Sequence, residues 1–194
     1  MTSEIVAALL PLSDAFRVLG IQYRVGGSVA SSVFGVMRAT YDIDLVANVE
    51  PKHVDPLVAM LSTDYYIDAE LIRHEIEHSS SFNLIYLDSM MKVDVFILGQ
   101  DEYDQEAFGR AIQLPLSADD ATDFTLCTPE DIVLRKLDWH RRGGGASERQ
   151  LEDVVQVLRV RSDTLDRTYL DLWASKLDVS DELVRCWRRA NESG

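Results

Sequence analysis

A mixed α/β core followed by an all-helical region is the fold class that this chain of 194 residues predicts. Three observations predict it. Short apolar, β-branched runs at residues 21–25, 42–47 and 92–98 alternate with stretches of helical spacing. The runs at 82–87 and 92–98 lie close enough to pair as a hairpin around Asp88-Ser89, so the sheet is mixed and not a doubly wound parallel one. Beyond Thr128 no strand pattern remains.

Each element has a local cause. Apolar residues recur with helical spacing over 5–19 and stop at Gly20, while Pro11 either splits that helix or restarts it. The strand at 21–25 delivers the chain to Gly26-Gly27, and the small and apolar residues 28–36 form a helix suited to close packing on a sheet. Residues 51–61 form a helix with Pro51 at its start, and residues 68–78 form another. Residues 112–114 and 124–126 are further short strands. Thr128 caps a helix with Pro129 at its first position, ending near His140 before a loop at 141–145. Ser147 caps a helix to about 160, and helices at 166–176 and 180–190 follow. The organisation expected is a core of residues 1–128 and a helical region, 129–194, packed on it.

Charge and composition narrow the classes of function. A net charge of −14 opposes a long nucleic-acid footprint, although a small basic site is compatible with it. Much of the acid falls in one stretch, Asp101, Glu102, Asp104, Glu106, Asp119, Asp120 and Asp123 against Arg110, which reads as a solvated face. No apolar run reaches the roughly 18 residues of a membrane span, and Met1-Thr2-Ser3-Glu4 lacks a signal peptide's basic flank. A soluble, cytoplasmic chain with no membrane partner is expected. Cys127 and Cys186 fit no metal or redox spacing and read as reduced and structural.

The chemistry-bearing pattern is Val25-Gly26-Gly27-Ser28 followed by Asp42-Ile43-Asp44-Leu45. A glycine-rich turn opening a helix can hold phosphate on its backbone N–H groups, which makes Gly26, Gly27 and Ser28 nucleotide-binding candidates. A plain strand-to-helix turn also wants glycine, so that reading stays open. Asp42 and Asp44 share one strand face, because strand side chains alternate. Asp94 lies mid-run in Met91-Lys92-Val93-Asp94-Val95-Phe96-Ile97-Leu98, which reads as a buried strand. An ionised carboxylate there needs a partner or a cation, so Asp94 is the candidate third ligand. Three carboxylates beside a phosphate cradle are what a Mg²⁺-dependent enzyme acting on a nucleoside triphosphate requires. Two ions about 3.5–4 Å apart are expected, with Mn²⁺ as a substitute. Asp94 would bind one of them and orient or deprotonate the incoming hydroxyl.

These residues resemble the minimal nucleotidyltransferases of the DNA polymerase β superfamily. Gly27-Ser28, Asp42-Ile43-Asp44-Leu45 and Asp94 fill that group's motif at a compatible spacing. The stretch Arg38-Ala39-Thr40-Tyr41-Asp42-Ile43-Asp44 is similar, more narrowly, to the AbiEii-like branch. That likeness implies that Arg38 and Thr40 lie near the triphosphate. The tail order Pro129-Glu130-Asp131, Arg135-Lys136-Leu137, Arg142-Gly143-Gly144, Ser147-Glu148-Arg149-Gln150 and Asp153 extends it, implying Lys136 as a phosphate ligand and Asp153 as its supporting partner. Read without the family, the basic residues 135, 136, 141, 142 and 149 suit either a triphosphate or an RNA end, or the cation preference of a helix C-terminus. The resemblance further implies transfer of a nucleoside monophosphate to an RNA, protein or small-molecule acceptor. It also implies a toxin–antitoxin role with a cognate antitoxin.

Two other classes compete. A non-catalytic nucleotide-binding or regulatory protein would keep the fold without the transfer. His74-Glu75-Ile76-Glu77-His78 matches the zinc-hydrolase pattern H-E-x-x-H, with His74 and His78 as ligands and Glu75 as base. On a helical wheel Ala69, Leu71, Ile72 and Ile76 form the buried face and leave both histidines to one side, so exposed helix histidines are the better reading. His53 is expected at the surface, and Trp139, Trp173 and Trp187 read as packing residues.

Overall fold

Alternating apolar and polar residues make strands with two unlike faces, and the sheet is built from that alternation. The computed structural model describes residues 2–35, 39–118, 121–144 and 147–192. In chain order the elements begin with helix α1 (Thr2–Leu19), strand β1 (Tyr23–Val25), helix α2 (Gly27–Phe34) and strand β2 (Asp42–Ala47). Next come a 3₁₀ turn (Pro51–His53), α3 (Val54–Leu61), β3 (Tyr65–Tyr66), α4 (Ala69–Glu77), β4 (Ser81–Tyr86) and β5 (Met91–Ile97). Then follow α5 (Glu102–Gly109), β6 (Ile112–Pro115) and β7 (Asp123–Leu126). The helices α6 (Pro129–Arg142), α7 (Glu148–Arg161), α8 (Arg167–Lys176) and α9 (Ser180–Glu192) complete the chain.

The fold class is the mixed α/β one expected. Among the described residues seven strands form one sheet in the order β3-β4-β5-β2-β1-β7-β6. The pairs β2/β5 and β1/β7 are parallel and the others antiparallel. Register then assigns the faces. One carries Val25, Ile43, Leu45, Ala47, Leu84, Val93, Val95 and Leu126, none more than 1% exposed. The other carries Asp42, Asp44 and Val46 on β2, Lys92, Asp94 and Phe96 on β5, Asn83 on β4 and Arg24 on β1.

The chain divides into two compact units. Met1–Val29 with Ala39–Leu126 holds the sheet, and Ala30–Arg38 with Cys127–Gly194 holds the helical region. In the second unit Thr128 Oγ1 accepts from the Asp131 backbone at 3.2 Å, so the predicted cap forms. Ser147 makes no such side-chain cap. Both cysteines are buried and neither forms a disulfide, and burial pushes the pKa of the Cys186 thiol up to about 11.

Several local expectations are corrected. Pro11 lies inside a continuous α1. The acidic stretch keeps the solvated face expected, with Asp101, Glu102, Glu106 and Asp123 exposed and Asp119 and Asp120 outside the described residues. It also contains α5, capped by Asp101, whose carboxylate accepts from the Asp104 N–H at 2.7 Å. Arg141 and Arg142 belong to α6, where Asp138 holds both, and not to a loop. His53 is buried, and its Nδ1 accepts the Glu50 N–H at 3.0 Å and closes a helical capping box. Leu71 is 40% and Trp139 48% exposed, so neither is a core residue. No helix among the described residues is long and apolar enough to cross a membrane.

Candidate functional site

The site is assembled by strand register. β2 and β5 run parallel with Asp44 opposite Asp94 and Asp42 opposite Lys92. Neighbouring strands lie about 4.8 Å apart, so the three acids occupy adjacent positions on one face. Asp42 is exposed, and Asp44 and Asp94 are partly exposed. The expectation that Asp94 lies in a buried strand is therefore corrected at the acid itself. Met91, Val93 and Val95 are buried, but the Asp94 side chain keeps 20% of its surface.

The glycine turn meets these acids directly. The Gly26 N–H donates to the Asp44 carbonyl at 2.8 Å. Gly27 opens α2 with φ +54°, and a Cβ there would lie 1.8 Å from Asp44 Oδ2. Both the left-handed backbone and the close approach exclude a side chain. The positive end of the α2 dipole thus begins against a carboxylate. Ser28, the next residue, is partly exposed in the first turn.

Each outer acid is held by a neighbour two residues away. Thr40, 3% exposed, donates from Oγ1 to Asp42 Oδ1 at 2.6 Å and lies 3.2 Å from the Asp42 carbonyl. The structure thus places the Thr40 hydroxyl on a carboxylate of the triad. Lys92 Nζ lies 2.7 Å from Asp94 Oδ1 and 2.9 Å from Oδ2. Among the described residues no three His, Cys, Asp or Glu side chains gather into a ready cation cage. The chemistry of the donor set nonetheless suits Mg²⁺, a hard cation that takes oxygen ligands from one or two carboxylates plus phosphates and water. Backbone register brings the three acids to one face.

The remaining candidates lie elsewhere. Arg38 is outside the described residues. Lys136 belongs to the second unit, where its Nζ donates to Asp153 Oδ2 at 2.8 Å and to Gln150 Oε1 at 2.9 Å. The lysine side chain is 7% exposed and the aspartate 10%. His74 and His78 are exposed at the end of α4, with His78 Nδ1 2.7 Å from the His74 carbonyl oxygen.

Sequence reasoning missed three residues of the acidic face. Lys92 was legible, since a lysine two before a strand aspartate must share its face. Arg24 lies opposite Val46, is 2% exposed, and has Nε and Nη1 without a hydrogen-bond partner among the described residues. The Phe108 ring lies 5.8 Å from its Cζ. An arginine in a three-residue strand before the glycine turn was its only signal. Exposed Asn83 is opposite Asp94, a placement that no local pattern reveals.

No protein-family model matches the sequence, and no curated protein sequence matches it. Solved structures do match in fold. The antibiotic-resistance factor ANT(2″)-Ia in solution superposes with a TM-score of 0.57 at 14% identity, over 100% of this chain and 97% of that one. The crystal structure of ANT(2″)-Ia in complex with adenylyl-2″-tobramycin gives 0.60 at 13% identity, over 90% and 97%. An antigenic nucleotidyltransferase-like protein from Paracoccidioides brasiliensis gives 0.54 at 18%, over 93% and 91%. The chain therefore has the nucleotidyltransferase fold.

Proposed function

We propose that this chain is a Mg²⁺-dependent nucleotidyltransferase that moves a nucleoside monophosphate from an NTP to a hydroxyl acceptor. The observation that carries the reading is the β2/β5 register, which sets Asp94 beside Asp44 and Asp42 at the mouth of the Gly27 turn. Asp42 and Asp44 hold the metal, and Asp94 holds metal and orients or accepts the proton of the attacking hydroxyl. When bound, paired Mg²⁺ ions stabilise the attacking and leaving oxygens of the displacement. Gly27 and Ser28 receive the triphosphate at the positive end of α2, and Gly26, whose N–H the Asp44 carbonyl takes, shapes the turn. Thr40 fixes the Asp42 carboxylate. By the family resemblance Arg38 supplies further charge to the triphosphate; Lys136, which that resemblance also offers, is committed to Asp153 and Gln150.

The acceptor we favour is a small hydroxyl-bearing molecule. The net charge of −14 disfavours a nucleic-acid acceptor, and the fold neighbour seen with adenylyl-2″-tobramycin supports the same class. An RNA or protein acceptor, with a cognate antitoxin as partner, is the form the AbiEii-like resemblance would take. The Lys92 contact on Asp94 favours one second reading, a nucleotide-binding regulator whose third acid is closed by its own lysine.

A transfer assay decides between them. Protein and its Asp42→Ala/Asp44→Ala variant are incubated with Mg²⁺, each α-³²P-NTP, and in turn cationic small hydroxyl compounds, RNA and cell extract. Label moved only by the unsubstituted protein supports the enzyme and names its acceptor class. Mg²⁺–NTP binding without label movement in any mixture supports the regulator.

A further inference from the structure

The acidic face carries two cations of unlike character. Arg24 is 2% exposed, so its charge is a fixed part of the sheet. Lys92 is 48% exposed at its side chain, on a flexible four-carbon stem, and its ammonium reaches both oxygens of Asp94. Its Cα is paired in register with Asp42, so the lysine rises between two acids of the triad. A surface ion pair of this kind is weak and exchangeable. The ammonium therefore stands where a divalent cation would otherwise gain most from Asp94, and it leaves readily when a stronger cation complex arrives.

We propose that Lys92 is an exchangeable counter-cation, a positioning residue that makes metal loading conditional on the nucleotide. This rests on the nucleotidyltransferase reading of the same face. With no nucleotide, the Lys92 ammonium holds Asp94, relieves repulsion among the three carboxylates and weakens the face for a free divalent ion. A nucleotide brings its own negative charge, which draws the ammonium off Asp94 toward the phosphates. Asp94 then becomes available to the metal that the nucleotide carries. Lys92 thus orders the loading of the site without joining the metal's ligand set.

The test reads binding and not turnover. Mg²⁺ and Mn²⁺ are titrated by calorimetry and by thermal shift into the unsubstituted chain, Lys92→Met and Lys92→Arg. Each titration is run with and without an NTP whose α–β bridge is a non-transferable methylene. Removing one positive charge at contact distance from a partly solvated carboxylate raises affinity for free divalent ion about tenfold in Lys92→Met. Lys92→Arg keeps the unsubstituted affinity, which separates charge from packing. Equal free-metal affinity in the unsubstituted chain and Lys92→Met overturns the proposal, provided both bind the metal–NTP analogue. Failure of every protein, Lys92→Arg included, to bind metal with the analogue overturns the metal-site reading itself. Should Lys92→Met not fold, Lys92→Gln, which also removes the charge, is read in its place. A gain of about tenfold in its free Mg²⁺ affinity supports the proposal, and an affinity equal to that of the unsubstituted chain overturns it.

Discussion

Acids occur in two settings in this protein, and the contrast separates chemistry from architecture. On the sheet face of the first unit, Asp42, Asp44 and Asp94 retain solvent exposure, and the outer two are held by residues two positions away. In the helical unit Asp131, Asp138 and Asp153 are buried and served from several directions. Asp131 accepts from Thr128 at 2.6 Å and from the Tyr169 hydroxyl at 2.7 Å. Asp138, fully buried, takes Arg142 at 2.9 Å and Arg141 at 3.2 Å, with Arg135 at 3.9 Å. Asp153 is closed by Lys136. A carboxylate that keeps its own exposure and is held only by short-range partners can take on a ligand at little cost. One desolvated within a fold cannot, because breaking a buried pair strands a charge.

The contrast fails or sharpens under substitution. Replacing both Asp42 and Asp44 by alanine is expected to remove transfer by at least about 10³-fold, since several kcal/mol of transition-state stabilisation go with the metal site. Denaturant midpoints should hardly move, because exposed carboxylates add little to stability. A large loss of stability with transfer retained would erase the distinction drawn between the two settings. Asp153→Ala should do the reverse, lowering unfolding free energy by about 3–5 kcal/mol as the buried Lys136 ammonium loses its carboxylate. Urea titration reads this, and the apolar pair Lys136→Met/Asp153→Leu should restore most of the loss.

Gly27→Ala sits between the two cases. Its methyl group must displace the Asp44 carboxylate and adopt a left-handed backbone. Transfer should fall about a hundredfold, the scale of an ångström-level misplacement, with a smaller effect on melting temperature. Wild-type rates in Gly27→Ala would show that the turn does not set Asp44.

The smallest effect concerns His53. Burial foremost, then the charge of Lys52, pushes its pKa below 6.5, against the opposing pull of Glu50. Below pH 6.5 the unfolded chain takes up a proton that the folded ring resists, so stability is full above that pH and falls as the pH drops through the folded value. His53→Asn should flatten the difference in melting temperature between pH 7.5 and pH 5. An unchanged difference would assign the acid sensitivity to other groups.

Much of the acidic face and its surroundings is legible in the residues themselves. The Asp42-x-Asp44 spacing dictates a shared face once a strand forms, and the β-branched run around Asp94 dictates that strand. Thr128-Pro129 announces the start of α6, and Gly26-Gly27 announces a turn. The features that escape such reading are those whose signal is weak or non-local. β3 is only the pair Tyr65–Tyr66, held by its pairing with β4. α5 is a helix within a stretch of acids, legible only through the Asp101 cap and buried Tyr103 and Ala107. His53 resembles a surface residue by its own polarity, and its burial comes with a backbone N–H that it accepts.

The sequence by itself determined the residue types, the two-residue periodicity that pairs Asp42 with Asp44, and the glycine that takes φ +54° without strain. Those are local properties of backbone and side chain. Tertiary structure alone decided that Asp94 stands opposite Asp44, that Lys92 rises beside Asp42, and that Arg24 is buried on the same face. Parallel pairing joins residues far apart along the chain, and no local propensity fixes which residue faces which. It is set only when every strand has turned its apolar side inward.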